Sequence, residues 1–451
     1  MKRLSPMLKI IIGFIILIFI GALILFLPIS QQNEGLSFLD SFFVSTSAIC
    51  ITGLSPVSNL SNVLSGFGKV VLTILIQIGG LGFVTVAVFI LSMIGAKIGP
   101  VERYLVKDAL NQNTSKGMIR LVRDIVIITL IIEVVGAIIN LFVFMPIYDV
   151  GKAIGISVFH AISAFNSAGF DIIGDGNSLR SPELAGNILL NINTSLLVFL
   201  GGLGFIVIRD IITNKRWRKL SIHSKIVIKV SIALIVVGSI ALFLTEFNNP
   251  EFKWYQAIFQ SINTRTSGFS TVNLQTINSI SMFIIIVLML IGASPSSTGG
   301  GIKTTTFYVV IKTFISYAKG KRTTTYERSI GNETKLKAFL IVVFAVGVIA
   351  IGSITILSLE MAFGSEITTG TDMAAELTIG NALFEVTSAF ATTGYSLGVT
   401  PRLHGSSQII LCFIMFIGRL GPLTVLSVWN KKWNIEAKDS INLIEEKILI
   451  G

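Results

Sequence analysis

The stretch FEVTSAFATTGY, from Phe384 to Tyr395, decides the fold, because three further versions of it occur along the chain. They are FVSTSAICITGL (Phe43 to Leu54), FHAISAFNSAGF (Phe159 to Phe170) and FQSINTRTSGF (Phe259 to Phe269). Each opens on a Phe, passes through a largely uncharged run, and ends in a small residue, a glycine and a large apolar residue. The glycines are Gly53, Gly169, Gly268 and Gly394. Copies spaced about a hundred residues apart are the signature of an internal repeat. The third copy is one residue shorter between its Phe and its Gly.

Composition identifies the medium around these repeats. Of 451 residues, 52% are hydrophobic and only 13% charged, and the mean hydropathy is +0.81. Soluble domains carry about a quarter charged residues, so this is a polytopic membrane protein. Cys50 and Cys412 lie in apolar surroundings and predict neither a disulfide framework nor a metal cluster. Spans long enough for a ~30 Å hydrocarbon core are read at about residues 10–27, 70–94, 125–144, 188–208, 226–244, 280–311 (interrupted), 339–359 and 409–428. A cleavable leader is the alternative for the first, but no small-x-small site follows it.

The net charge of +11 is a matter of topology and not of nucleic acid. Lys and Arg concentrate in residues 1–9, 95–124, 209–229 and 312–337 and in the tail from Lys431. Basic connections stay in the cytoplasm, so both termini are expected there and all four repeats open outward. Each repeat is then a segment that dips into the membrane between two spans. Non-helical backbone at that depth is tolerated only where protein buries it or water lines it. The predicted fold is an all-α polytopic membrane protein, with four helix–re-entrant pore loop–helix units in pseudo-fourfold arrangement around one central pore. The units are residues 1–97, 98–214, 215–325 (with an intramembrane gate loop at 292–306) and 326–433, followed by a tail at 434–451. The alternative is four amphipathic loops that merely cover a bundle.

These residues resemble the Trk/Ktr/HKT superfamily of potassium transporters, and most of all the bacterial Ktr membrane subunit. The resemblance rests on the endings CITG, NSAG, RTSG and ATTG and on IGASPSSTGGGIKTTTF (Ile291 to Phe307). It rests also on the turns GGLGF (Gly79 to Phe83, Gly201 to Phe205) and GRLGP (Gly418 to Pro422). It implies potassium uptake in the bacterial cytoplasmic membrane, a homodimer embedded in lipid, and a cytosolic RCK-type nucleotide-binding ring subunit as regulator. Any nucleotide is expected on that partner only. The rival within transport is a sodium- or ammonium-permeable relative.

A dehydrated potassium ion needs several oxygen ligands, and rings of backbone carbonyls supply them without a fixed counter-charge. The candidates are Ile51, Thr52, Gly53, Ser167, Ala168, Gly169, Thr266, Ser267, Gly268, Thr392, Thr393 and Gly394, with potassium as the only metal expected. Arg265, just before the third glycine, would repel the substrate if it faced the pore, so it is expected behind the filter, paired with Glu385. The run Gly292 to Thr306 holds too many helix breakers for a membrane helix interior and is expected to line the pore as a gate. Its members Gly292, Ser294, Gly299, Gly300, Gly301 and Lys303 act with Arg419, which either holds the loop, snorkels or pairs with Glu133. Glu133 itself is either half of a structural pair or an ion site. The acids Asp171, Asp175, Glu366, Asp372 and Glu376 either draw cations by their field or form a solvated loop face. The run from Gly299 to Thr304 resembles a phosphate loop, but Ile302 interrupts it and no strand precedes it. Enzyme chemistry would need clustered acids, histidines or metal ligands, and the spans offer none. A structural scaffold would not need four matched dips.

Overall fold

The computed structural model describes residues 6–32, 35–94, 98–109, 117–174, 178–250, 252–363 and 377–421. Among the described residues, four single helices are long and apolar enough to cross a membrane: α1 (Pro6–Phe26), α6 (Met118–Phe144), α10 (Ile222–Thr245) and α14 (Asn332–Phe363). Each is apolar nearly all round, as lipid on one side and protein on the other require.

Each long helix leads to a shorter one that carries a repeat: α2 (Phe38–Cys50), α7 (Val150–Phe165), α11 (Trp254–Thr264) and α15 (Ile379–Ala391). Their starts are set by sequence. Ser37 and Asp40 form a reciprocal capping box on α2, and Asp149 and Thr378 cap α7 and α15. Such caps satisfy amides that would otherwise be orphaned in an apolar setting.

A returning helix follows each repeat. In the first unit it is α3 (Gly66–Leu81) followed by α4 (Phe83–Met93), and in the second α8 (Ile188–Leu203) followed by α9 (Phe205–Asn214). The sequence reads each pair as one straight span, but the pairs bend by 98° and 96°. The bends lie at Gly82 (φ 78°) and Gly204 (φ 88°), a left-handed conformation that glycine adopts without steric penalty. In the third unit α12 (Ser279–Leu290) stops, a loop follows, and α13 (Thr304–Ala318) resumes. The loop therefore closes at Lys303, and Thr304 to Thr306 are helical where the sequence suggests loop. The fourth return, α16 (Gly405–Leu420), ends at Gly421 with φ 83°. A helix at Pro100–Ala109, here α5, packs among the first-unit helices. A two-stranded hairpin, β1 (Thr324–Thr325) and β2 (Arg328–Ser329), turns through Tyr326 and Glu327.

The main core cluster has the repeat residues among its most buried members, including Phe43, Phe165, Phe384 and Phe390, and a smaller cluster of Leu203, Val207, Ile208 and Val227 lies beside α9 and α10. Large apolar side chains such as Phe142, Val343 and Ile351 face outward. This is the distribution of a chain whose outer solvent is hydrocarbon.

Candidate functional site: a glycine ring and the loop beneath it

The four repeat glycines meet in a closed ring. A Cβ on Gly53 would collide with the carbonyl oxygen of Ala168, one on Gly169 with that of Ser267, one on Gly268 with that of Thr393, and one on Gly394 with that of Thr52. Each glycine thus makes room for the carbonyl just before the next unit's glycine, and the fourth unit returns to the first. All four have positive φ, between 69° and 90°. Two independent constraints, space and backbone conformation, exclude a side chain here.

The approach to the ring differs in one quadrant. In the first, second and fourth units the residue two before the glycine is left-handed although it is not glycine: Ile51 (φ 57°), Ser167 (φ 58°) and Thr392 (φ 51°). The amide that follows each reaches back five residues, Thr52 to Ser47, Ala168 to Ser163 and Thr393 to Ser388, at 2.7 to 2.9 Å. That is the six-to-one bond of a Schellman helix end. Thr266 is not left-handed, and Ser267 instead reaches Asn263, four residues back, at 2.9 Å. The missing residue of the third repeat is the missing left-handed turn.

Side chains around the ring divide by level. The hydroxyls of Thr52, Ser267 and Thr393, each directly before its glycine, are buried and lack a hydrogen-bond partner among the described residues. Buried polar groups are normally satisfied, so these oxygens fit a polar or cationic guest. One residue earlier, the side chains meet the loop between α12 and α13. Ser167 Oγ lies 3.2 Å from Thr298 Oγ1, and Thr392 Oγ1 accepts the Gly300 amide at 2.8 Å. A Cβ on Gly299 would strike the Thr266 side chain. The loop therefore sits directly against three of the four corners.

That loop is held on every side. Its Ser294 and Thr298 amides donate to the Gly202 and Gly201 carbonyls at 3.1 and 3.4 Å, and Ser294 Oγ donates to Leu203. These are the carbonyls that the end of α8 leaves without partners. In return the Phe205 amide beyond the bend donates to Ser296 at 3.0 Å. Within the loop, Ile302 donates to Leu290 and Thr304 to Ala293, each at 3.1 Å, Lys303 Nζ reaches the Gly299 carbonyl at 2.6 Å, and Gly301 (φ 71°) packs on Gly292.

Arg419 does at the end of α3 what the loop does at the end of α8. Its guanidinium donates to the Gly79 carbonyl and, on its other arm, to Thr298 in the loop. Of the three arrangements open to it from sequence, the hold on the loop is the one present. Glu133 instead accepts from Gln77 at 3.1 Å and Asn166 at 2.9 Å, and Asn166 also donates to Gln77. Glu133 is thus in a structural cluster behind the second corner. Gln77 and Asn166 were not singled out in the sequence, although two amides in apolar runs were the available signal.

The expected Arg265–Glu385 pair does not form. Arg265 donates to the Gly292 carbonyl at 3.1 Å and to Ser231 at 3.5 Å. Glu385 accepts from Ser396, Leu397 and Thr400 of its own unit at 2.7 to 2.9 Å. The reason is depth. Glu385 stands nine residues before its glycine and Arg265 three, an offset of about 9 Å along a helix. Arg265 instead joins α10, through Ser231, to the start of the loop at Gly292.

Just beyond the second repeat glycine, Asp171 accepts the Ile173 and Leu179 amides at 2.9 and 3.0 Å. Burial raises its carboxyl above the ordinary range, opposed by those amides and by Arg180. Asp171 therefore organises its own loop. Asp175, Glu366, Asp372 and Glu376 lie outside the described residues, as does the tail from residue 422.

A repeat glycine and a return helix also touch in a fixed register. Gly79, Gly201 and Gly418 each pack where a Cβ would strike the carbonyl four residues before a repeat glycine: Ile49, Phe165 and Phe390. The turns noted in sequence are thus the seats on which the pore helices rest.

Comparison with known proteins agrees with this architecture. Residues 5–435 match the family described as TrkH: Cation transport protein. The chain is 36% identical to Ktr system potassium uptake protein B of Bacillus subtilis, over 94% of this chain and 92% of that one. It is 34% identical to Potassium/sodium uptake protein NtpJ of Enterococcus hirae, over 100% of this chain and 98% of that one. The crystal structure of the potassium transporter TrkH from Vibrio parahaemolyticus superposes with a TM-score of 0.71, covering 96% of this chain and 86% of that one, at 18% identity, which speaks for the fold. A ring of four repeats, a loop seated against it and a family match across nearly the whole length lead to one conclusion: the chain belongs to the TrkH family of cation transport proteins.

Proposed function

We propose that this chain is the membrane subunit of a potassium-uptake system, conducting potassium through a filter built from the backbone carbonyls of Ile51 to Gly53, Ser167 to Gly169, Thr266 to Gly268 and Thr392 to Gly394. The observation that carries the proposal is the closed glycine–carbonyl ring with its three unpartnered hydroxyls. Oxygen ligands without a fixed anion suit a weakly hydrated monovalent cation. The printed names of the Bacillus and Enterococcus relatives support potassium, and the second supports sodium as the rival ion or co-ion. The four pore units carry the boundaries read from sequence. Both termini face the cytoplasm of a bacterial inner membrane, following the basic connections.

The loop from Gly292 to Lys303 is the gate. It rests against three corners of the ring, and Lys303 and Arg419 place two cations below a cation filter, where fixed positive charge opposes passage. Deleting a few residues within Ser294 to Gly300 should raise flux in the absence of a regulator. Two copies form a homodimer, and a cytosolic nucleotide-binding ring docks on the basic connections at 209–229 and 312–337 and on the tail. Docking that relies on such charge should weaken with salt.

Potassium or rubidium uptake into proteoliposomes, competed with sodium, tests the central reading. Preference for potassium that is lost in Gly53→Ser supports it. Equal entry of sodium and potassium in the parent protein would remove it.

A further inference from the structure

We infer that the cleft between α10, α13 and the β1–β2 hairpin binds the phosphodiester headgroup of an anionic phospholipid, and that its occupancy biases the gate loop. The cleft is a cavity of about 200 Å³ with Lys229 and Lys312, the hydroxyls of Tyr308 and Thr325, and the apolar Ile226 and Val230 on its walls. Neither lysine forms an ion pair among the described residues, where the pairs present are Arg209–Asp124 and Lys337–Glu333. Two amines, the hydroxyl-bearing Tyr308, Thr324, Thr325 and Tyr326, and no carboxylate on the walls are the complement of a phosphate. Basic pockets between membrane helices on the basic side recognise lipid headgroups by this chemistry.

The cleft is built in place. Tyr308 and Thr325 hydroxyls lie 3.2 Å apart and pin the hairpin to α13. Lys229 stands 5.2 Å above the Tyr326 ring and 5.9 Å from that of Trp217, while Lys225 also lies over Tyr326 at 5.8 Å. These cation–π contacts hold ammonium groups in position without neutralising them. The size argues against a nucleotide, since sites for larger ligands run from about 300 to 1,000 Å³. The apolar wall and the exposed Trp217 ring suit a molecule with an acyl side, because Trp marks the membrane interface.

Both walls lead to the gate. Lys303 is the N-cap of α13, so Tyr308 and Lys312 lie roughly one and two turns from the loop, about 8 and 14 Å. On the other wall, Ser231 follows Val230, and its carbonyl shares the Arg265 guanidinium with Gly292 of the loop. A headgroup that draws α10 and α13 together therefore acts on both anchors of the loop. This deepens the gating reading, while the binding claim stands apart from which ion is carried.

The test uses the purified full-length chain in neutral detergent, followed by thermal unfolding as short-chain phosphatidylglycerol, phosphatidylcholine or inorganic phosphate is added. Phosphatidylglycerol should stabilise saturably and the other two should not. Lys229→Ala with Lys312→Ala should raise the half-saturating concentration by about thirtyfold, at roughly fivefold per lysine. Arginine at both positions should restore binding, and Lys319→Ala with Lys321→Ala should leave it unchanged. Should the double alanine variant not fold, Lys229→Gln and Lys312→Gln must each show the fivefold shift. An unchanged response in these variants, or an equal shift with inorganic phosphate, overturns the site. In proteoliposomes, flux that responds to phosphatidylglycerol in the double variant as in the parent overturns the link to the gate. Absence of potassium transport in the parent would count against the proposed function and leave the binding result intact.

Discussion

Replacing Arg419 by Ala tests the gate most directly. The guanidinium bridges Thr298 in the loop and Gly79 at the end of α3. A hydrogen bond from a charged donor contributes about 1.5–3 kcal/mol net, so the two arms together hold the loop by roughly 3–6 kcal/mol. Water entering the truncated site recovers part of this. If only about 2 kcal/mol is lost, the ratio of displaced to seated loop rises about thirtyfold. The assay is rubidium flux into proteoliposomes without any regulator. Arg419→Ala should raise the basal rate strongly, and Arg419→Lys should fall between, because an ammonium cannot span two carbonyls as the planar fork does. The ion preference should not move, since the ring is untouched. An Arg419→Ala protein that inserts normally, keeps its potassium preference and conducts no faster than the parent would refute the reasoning.

Three further outcomes are expected. Gly53→Ser, whose Cβ would meet the Ala168 carbonyl, should relax potassium over sodium discrimination in competition flux while the protein still inserts. Glu133→Ala should lower thermal stability by about 2 kcal/mol by stranding the Gln77 amide, while Asn166 keeps Gln77 and Ile162 as acceptors, and should loosen ion preference through the second corner; Glu133→Gln, which keeps an acceptor, should do less of both. Asp210 provides a pH test outside the spans. Burial raises its carboxyl, but bonds from Ser224, Ser221 and Asn214 outweigh this and leave it below the ordinary range. A depressed pKa contributes stability above the unfolded value, near pH 4, and loses it as pH falls through the folded value. Asp210→Asn should therefore melt earlier than the parent at pH 7, with the gap closing below about pH 4.

The four dips were legible because their signal is local: a Phe, a largely uncharged run, a small residue and a glycine recur in each. The loop between α12 and α13 was legible because its breakers crowd into one run. The bends at Gly82 and Gly204 were not, since hydropathy runs unbroken from Leu81 into Phe83 and on to Val88 and an apolar helix turned sideways has the same composition as one that continues. The Arg265–Glu385 pair failed on register, because the proposal matched quadrants without counting residues to each glycine. Gln77, Glu133 and Asn166 belong to three helices and converge only after packing. No pattern within one segment announces such a meeting. Arg419 was visible as an intruder in a glycine turn, but its partners are backbone carbonyls, which every residue carries and no sequence distinguishes.

The one-residue shortening of the third repeat and the long break in its return helix occur in the same quadrant. In a pore made of four identical chains, each change would be copied four times, and four such loops would compete for one axis. A single chain with four separately encoded quadrants escapes that constraint. It can place a loop against the ring from one quadrant and, from another, the arginine bound to that loop, and leave the rest to shape the ring. On the proposed gating function, that departure from fourfold repetition is what would let one asymmetric part control a passage built from four similar ones.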